Sequence, residues 1–525
     1  MGMLALSRLM PMKRRRRTQA DLICSLSPST CCPEDGSTAS SEAEDGRNSI
    51  GAIGKRRRSH LTLDRLPQDI LHQILALLPM QDAARAGCVS RELLQSWRCY
   101  PELEFNAKTM SLDEQSTCIQ GQMAKDIIKR IDGALQNRAG IWVKRLKFEL
   151  RFFHKLRAHH INRWLNAATT LGIEELTLDL PRDDKMKYRF PCKLLFDGEK
   201  GCSIQSLCLY ACGFSPEQGS RSFRSLKRVH FSWVHITTEE SWLLLSNSPS
   251  LEHLELEYCH EITSLRIPCT LQLLSFLGVE RCNMLQSIES DAPNLSTFHY
   301  QGPIIQFSLG DALQLKDINI SIYPWFNLFK YARKELPTLA PNLETLNLTS
   351  ADEVGDFYPL MIVPREKFIH LKHLELAIVG PRTEIVCHFQ YYSLVTFLNA
   401  APKLETFILH VEESAAQKSH LVVDPSKLRQ LPRHCHQKIK HVKITGFCPI
   451  KELVELIFYI LENASSLQCL TLDNRIQGFG KVLVARIAQN TRTRDYQEWW
   501  NNFGDNEGFL QYMRRRPDRT PNWEA

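Results

Sequence analysis

His434, Cys435 and His436 come closest in this chain to a chemical motif. Alternate residues on an extended segment place two imidazoles on one side, and imidazoles with a thiol are the start of a zinc site. Cys448 lies nearby, yet a third and a fourth ligand at the usual zinc spacing are missing. A surface loop preceding a strand is the better reading. The 17 cysteines are scattered and never form a C-x-x-C pair, so reduced, buried thiols are expected rather than a metal or disulfide framework. Nucleophilic and phosphate chemistry have no anchor either: G-x-S-x-G, G-x-x-x-x-G-K and H-E-x-x-H are all absent. In His159-His160 and Glu174-Glu175 the members are adjacent and point different ways. These residues argue against an enzyme and imply no cofactor.

Aromatic side chains are the remaining candidates, for binding rather than catalysis. Trp233, Trp242, Tyr258, Tyr300, Tyr323 and Trp325 fall close together in the chain, and Trp and Tyr are favoured interface anchors. Trp233, Tyr258 and Tyr300 are the first candidates for contact with a protein target.

The elements that would position them repeat. From residue 143 the spacing apolar-x-x-apolar-x-apolar recurs thirteen times, as in Val143/Leu146/Phe148, Ile173/Leu176/Leu178, Leu254/Leu256 after Leu251, and Leu467/Leu470/Leu472. Leu207–Cys212, Leu254–Cys259 and Leu277–Cys282 extend the unit to L-x-x-L-x-L-x-x-C once the preceding Ile204, Leu251 and Leu274 are included. This is the leucine-rich-repeat template, one short parallel strand per coil. The cysteine should fill the turn after the strand. Units are tightest between Leu207 and Ile320, and insertions at 349–368 and 377–393 loosen the later ones. Pro293, Pro341 and Pro402 each introduce a unit, as a turn before the next strand.

Residues 61–106 have another pattern: Leu66-Pro67, apolar residues Ile70, Leu71, Ile74, Leu75 and Leu78 at helical spacing, a second Leu-Pro at Pro79, then Val89-Ser90-Arg91 and Trp97. The spacing predicts three short helices, with the apolar residues of the first on one broad face. Pro79 would end that helix, Asp82 would cap a second over 83–89, and Ser90 would cap the third. Three helices of this length bury little surface alone and gain by docking.

This segment resembles the F-box. The resemblance implies that Leu66, Pro67, Ile70, Leu71, Ile74 and Pro79 contact a Skp-family adaptor, and through it a cullin. Val89, Ser90, Arg91 and Trp97 would contact the adaptor or brace the helices that do. Residues 428–475, with a strand at 441–444, a helix at 451–463 and a strand at 467–472, resemble the FBD-type end of plant F-box proteins. The chain is thus similar to the plant F-box/LRR family with an FBD-like end. That implies an α/β fold: a three-helix F-box followed by a leucine-rich-repeat solenoid.

The organisation expected is a disordered basic leader at 1–60, the F-box at 61–106, the solenoid at 107–429, FBD-like terminal repeats at 430–475 and a divergent, poorly ordered tail at 476–525. The leader carries eleven Lys/Arg against six Asp/Glu, which is most of the formal net charge of +7. A near-neutral body speaks against a nucleic-acid partner. The N-terminus places its apolar part before its basic part, the reverse of a secretory signal. No apolar run reaches the ~18 residues of a membrane span. Nucleus and/or cytoplasm is the expected location. The resemblance implies the substrate-recognition subunit of a Skp–cullin–F-box ubiquitin ligase, binding an unknown protein substrate through its repeats. The alternative is a non-degradative interaction scaffold or a small-molecule sensor.

Overall fold

The computed structural model describes residues 66–110, 120–136, 143–154, 156–182, 188–193, 203–216, 223–310, 312–323, 328–351, 367–379, 391–412, 433–447, 451–473 and 482–486. The predicted basic leader, Trp325 and Cys448 lie outside them. The chain forms two compact units, 1–186 and 187–525.

In the first unit three helices come first: α1 (Gln68–Ala76), α2 (Met80–Gly87) and α3 (Arg91–Arg98). Each proline precedes a helix. Pro67 and Pro79 sit at the N-caps with φ near −55° and extended ψ, where a missing N–H and a fixed φ cost least. The second helix therefore begins at Met80, not after Asp82. Asp82 lies in its first turn and pairs with Arg85 at 2.9 Å. Ser90 caps α3 as expected, its hydroxyl accepting from the Leu93 N–H at 3.2 Å. Leu71, Leu75, Ala83, Leu93, Trp97 and Tyr100 form the core of this module.

Strand Glu102–Phe105 follows, within the segment read as F-box, and pairs in parallel with Arg145–Glu149. That strand pairs in parallel with Glu175–Asp179. Phe105, Phe148 and Trp164 stack behind them at 5.4 and 5.6 Å, with Trp164 on helix Ala158–Thr170. Its indole N–H donates to Asp132 at 2.7 Å.

The second unit is a ladder of parallel strands: Ser206–Tyr210, Arg228–Ser232, His253–Glu257, Phe276–Glu280, Thr297–Gly302, Asp317–Ile322, Thr345–Ala351, His373–Val379, Thr406–Glu412, His441–Thr445 and Cys469–Asp473. In all thirteen predicted units the last two apolar residues lie in a strand and the first just precedes it. Alternation puts the repeat's apolar residues inside: Leu207, Leu209, Val229, Phe231, Leu254, Leu256, Leu277 and Val279 are all buried. Cys212, Cys259 and Cys282 are buried after their strands. The thiols of Cys259 and Cys282 point at backbone carbonyls, including those of Glu257 and Glu280. Burial raises the Cys212 thiol well above its ordinary range, which keeps it protonated and inert.

On the other side of the coils, tight repeats and loose ones differ. Ser264–Ile267, Ser287–Ser290 and Gln306–Ser308 form a second small parallel sheet. Longer repeats have room for helices, at Thr238–Ser246, Leu328–Leu339 and Lys451–Asn463. Extended chain covers about 3.3 Å per residue and a helix 1.5 Å, so a short repeat closes its coil only by staying extended. The predicted helix Lys451–Asn463 is present with the predicted bounds. Strand Val482–Arg486, in the segment expected to be poorly ordered, pairs antiparallel with Cys469–Asp473.

Gly446, in the turn after His441–Thr445, has φ +69°, and a Cβ there would lie 1.8 Å from the Val411 carbonyl oxygen. Neither the backbone nor the neighbouring strand can yield cheaply. Gly446→Ala should therefore cost at least ~2 kcal/mol of stability. Urea unfolding measures this, and a loss below ~0.5 kcal/mol would contradict the packing described.

Candidate protein-binding surfaces

The first surface is the three-helix module. The apolar face of α1 divides in two. Leu71 and Leu75 are buried, with Leu78 packed against the same core. Ile70, Ile74 and Leu77, one residue back at the same i, i+4, i+7 spacing, run along a neighbouring stripe. Ile74 is 37% exposed and Leu77 86%. Leu77 escaped the sequence reading, although its spacing from Ile70 and Ile74 was the signal that could have found it. Val89, after α2, is 76% exposed. Pro67, Pro79 and Arg91 are exposed, and Leu66 and Ser90 half-buried.

Leu71 and Trp97 are placed differently from the contacts. Leu71 is 1% exposed, so it supports the stripe from beneath rather than presenting itself to a partner. Trp97 is also interior, 5.3 Å from the Tyr100 ring. A Cβ at Gly87 would meet the Trp97 Cβ at 3.0 Å, so α2 and α3 touch closely here. The Tyr100 hydroxyl donates to the Leu78 carbonyl at 2.7 Å and satisfies the end of α1. Gln68 donates to the buried Ser96 hydroxyl at 2.9 Å, locking α1 to α3. The apolar stripe thus sits on a braced scaffold.

The second surface is the outward face of the parallel sheet in the second unit. His230, Glu255 and Gly278 lie in register across three strands, as do Ser232, Glu257 and Glu280. His230 Nδ1 meets Glu255 at 2.8 Å. Hydrogen bonds from His230 and His253 hold the Glu255 carboxyl well below the usual range. Phe276 stacks on His253 at 4.0 Å.

Trp233 and Tyr258 stand at the end of this face, each just after its strand. Their rings stack at 4.3 Å with an interplanar angle of 14°. Arg281 continues the row, its guanidinium 5.4 Å from the Tyr258 ring centre and bonded to the Tyr258 hydroxyl. Ala211, Trp233, Tyr258 and Arg281 all have φ between 52° and 57°, a left-handed conformation rare for such residues. Their N–H groups each donate to the next strand's end, as from Trp233 to Glu257 and from Tyr258 to Glu280, both at 2.9 Å.

Tyr300 does not join them. It is 2% exposed, and its hydroxyl donates to the Pro303 carbonyl. It occupies the last apolar position of its own repeat, in register with Val279 and Ile320, and alternation turns it into the core. Trp242 lies apart, on helix Thr238–Ser246.

A small helical module with an uncovered apolar stripe, and a leucine-rich-repeat ladder with an outward face of polar and aromatic residues, define a repeat-type binding protein. Known proteins sharpen this. The family model described as At1g61320/AtMIF1, LRR domain, matches residues 134–497, and the F-box domain model matches residues 63–101. The F-box/FBD/LRR-repeat protein At1g13570 of Arabidopsis thaliana is 24% identical over 78% of this chain and 90% of its own length. The FBD-associated F-box protein At1g61320 from the same plant is 21% identical over 78% of this chain and 88% of its own. A putative F-box/LRR-repeat protein, At1g56400, is 33% identical over 23% of each chain. The chain belongs to the plant F-box/FBD/LRR-repeat family, with a repeat domain of the At1g61320/AtMIF1 type. F-box domains generally bind Skp-family adaptors and leucine-rich repeats generally bind proteins. Among the described residues no helix is long and apolar enough to cross a membrane.

His434-Cys435-His436 lies in the FBD-like end. Among the described residues no three His, Cys, Asp or Glu side chains converge on a metal site. Cys435 is exposed. His436 is buried, with Nε2 2.9 Å from the Tyr459 hydroxyl, which donates to Asn399 at 2.7 Å. The imidazole is therefore a neutral donor, and burial pushes its pKa down to about 4. Unfolded, it would titrate near 6.5. Between these values the unfolded chain binds the extra proton, so stability is full above pH 6.5 and declines as the pH falls towards 4. The decline from this residue should total ~3 kcal/mol. His436→Gln should flatten that part of the stability–pH curve. If wild type and variant differ by a constant amount from pH 7 to pH 4, His436 is not the source.

Proposed function

We propose that this protein is the substrate-recognition subunit of a Skp–cullin–F-box ubiquitin ligase. The observation that carries the proposal is the exposed stripe of Ile74 and Leu77, with Ile70 alongside, on a module whose interior is otherwise closed. Isolated apolar side chains on a surface need no explanation, but a helical row of them fits the groove of a partner. In this reading the Skp-family adaptor covers the stripe and joins the chain to a cullin. The repeats hold a protein target, and ubiquitin passes to a target lysine from a conjugating enzyme bound elsewhere in the assembly.

This chain contributes no reacting group in that scheme. Its part in catalysis is to raise the effective concentration of target and conjugating enzyme. The Lys13–Arg17 and Lys55–Arg58 clusters support import, and we place the protein in the nucleus, the cytoplasm or both.

Ile74→Asp/Leu77→Asp separates surface from core. Both side chains are exposed, so the thermal midpoint should move little. Capture of a purified Skp-family adaptor should fall at least about tenfold, as expected for charges placed in an apolar interface centre. Leu71→Ala should lower stability by ~2 kcal/mol or more instead. If the aspartate variant, still folded, retains the adaptor at wild-type level, the stripe is not the docking surface.

A further inference from the structure

The outward sheet faces of the two units differ in character. In the first, carboxylates are matched by cations. Arg145 bridges Glu102 at 3.0 Å and Glu175 at 2.7 Å, and Lys147 bridges Glu104 at 3.1 Å and Glu149 at 2.6 Å. Such a face is neutralised by its own side chains.

In the second unit Glu257 and Glu280 stand directly opposite each other on adjacent parallel strands, a like-charge pairing that the chain alone does not favour. Among the described residues the Glu257 carboxylate has only the distant Nε2 of His230, at 3.9 Å. Among the described residues the Glu280 carboxylate makes no ion pair or hydrogen bond. Its half-buried site and the neighbouring Glu257 and Glu255 raise its proton affinity. The nearest arginine, Arg281, is drawn to the Tyr258 hydroxyl and ring instead. Gly278, two residues before Glu280, lets the Phe276 ring and Glu255 Cγ close over it, at 3.0 and 3.5 Å from where a Cβ would be. Along the edge runs the Trp233–Tyr258 stack.

Carboxylates in excess suit a guanidinium, which is planar and binds carboxylates through paired N–H groups. The Tyr258 ring itself is already covered within the chain, by Trp233 on one side and Arg281 on the other. We infer that Glu257 and Glu280, beside the Trp233–Tyr258–Arg281 row, form a docking surface for an extended, arginine-bearing segment of a protein target. The inference deepens the proposed receptor role, because it names the chemistry of what the repeats hold. An extended segment presents alternate side chains to one face, about 6.6 Å apart, so arginine at every second residue offers a series of cations to the two carboxylates.

The test uses the full chain purified with its Skp-family adaptor and fluorescein-labelled ten-residue peptides, read by anisotropy at about 0.15 M salt. An alternating Ala-Arg peptide should bind at least about tenfold more tightly than the Ala-Gln peptide of the same length, and the Ala-Glu peptide should not bind. Glu257→Gln/Glu280→Gln should bring the Ala-Arg peptide down to the Ala-Gln level. Glu102→Gln/Glu104→Gln, on the neutralised face, should leave it unchanged. Equal binding of the Ala-Arg and Ala-Gln peptides overturns the inference, as does Ala-Arg binding that survives Glu257→Gln/Glu280→Gln. Either result leaves the receptor role standing if the adaptor co-purifies. A wild-type preparation without adaptor overturns the receptor role, and the peptides are then measured on the chain alone.

Discussion

The register of the parallel strands is the constraint on which the second unit depends. No single coil of this chain can bury its apolar residues, since each presents only two or three of them on a strand of five to seven residues. Burial is completed by the next coil, and only if the strands stay in step. The backbone keeps them so in a repeated way: Lys227 and Arg228 donate to Gln205, Glu252 and His253 to Lys227, Lys372 and His373 to Glu344, and Lys440 and His441 to Glu405. A slip of one residue would exchange core and surface along a whole strand. Holding this register sets Leu254 over Leu277 and at the same time sets Glu257 over Glu280. The core and the outward face are therefore consequences of one arrangement, and the like charges on that face are tolerated because the register secures so much apolar burial behind them.

The strands were legible because their period is short and their apolar spacing recurs. Leu207/Leu209, Val229/Phe231 and Leu346/Leu348 announce themselves, and the buried cysteines follow by position. Tyr300 shows the same rule applied too loosely. The spacing Leu295/Phe298/Tyr300 already assigns it to the core, whereas Trp233 and Tyr258 come two residues after the last apolar residue of their units. Helix α1 makes the complementary point. Residues at 70, 71, 74, 75, 77 and 78 are all apolar, and spacing alone merges two stripes that differ by one residue. Which stripe faces inward is decided by α3, through Leu93 and Trp97, a tertiary fact that the helix does not carry.

Other features had no local signal. Ser264–Ile267 and Ser287–Ser290 are four residues long, too short for alternation to stand out, and they are strands because the tight repeat must close. Left-handed backbone is ordinarily announced by Gly or Asn, yet here Trp233, Tyr258 and Arg281 adopt it. Their N–H groups are satisfied by the next strand, and their side chains stack on one another. The neutral state of His436 likewise depends on Tyr459 and Asn399, which are distant in sequence.

These features place an exposed apolar stripe on a braced three-helix scaffold and leave a polar, aromatic face on the repeats. The central claim is that the Ile70–Ile74–Leu77 side of α1 meets the adaptor. Photo-crosslinking tests it most directly: p-benzoylphenylalanine incorporated in place of Leu77 should join a purified Skp-family adaptor in high yield, while the same residue in place of Gln95, at an exposed position of α3, should give little. Efficient crosslinking from position 95 with none from position 77 would contradict the account.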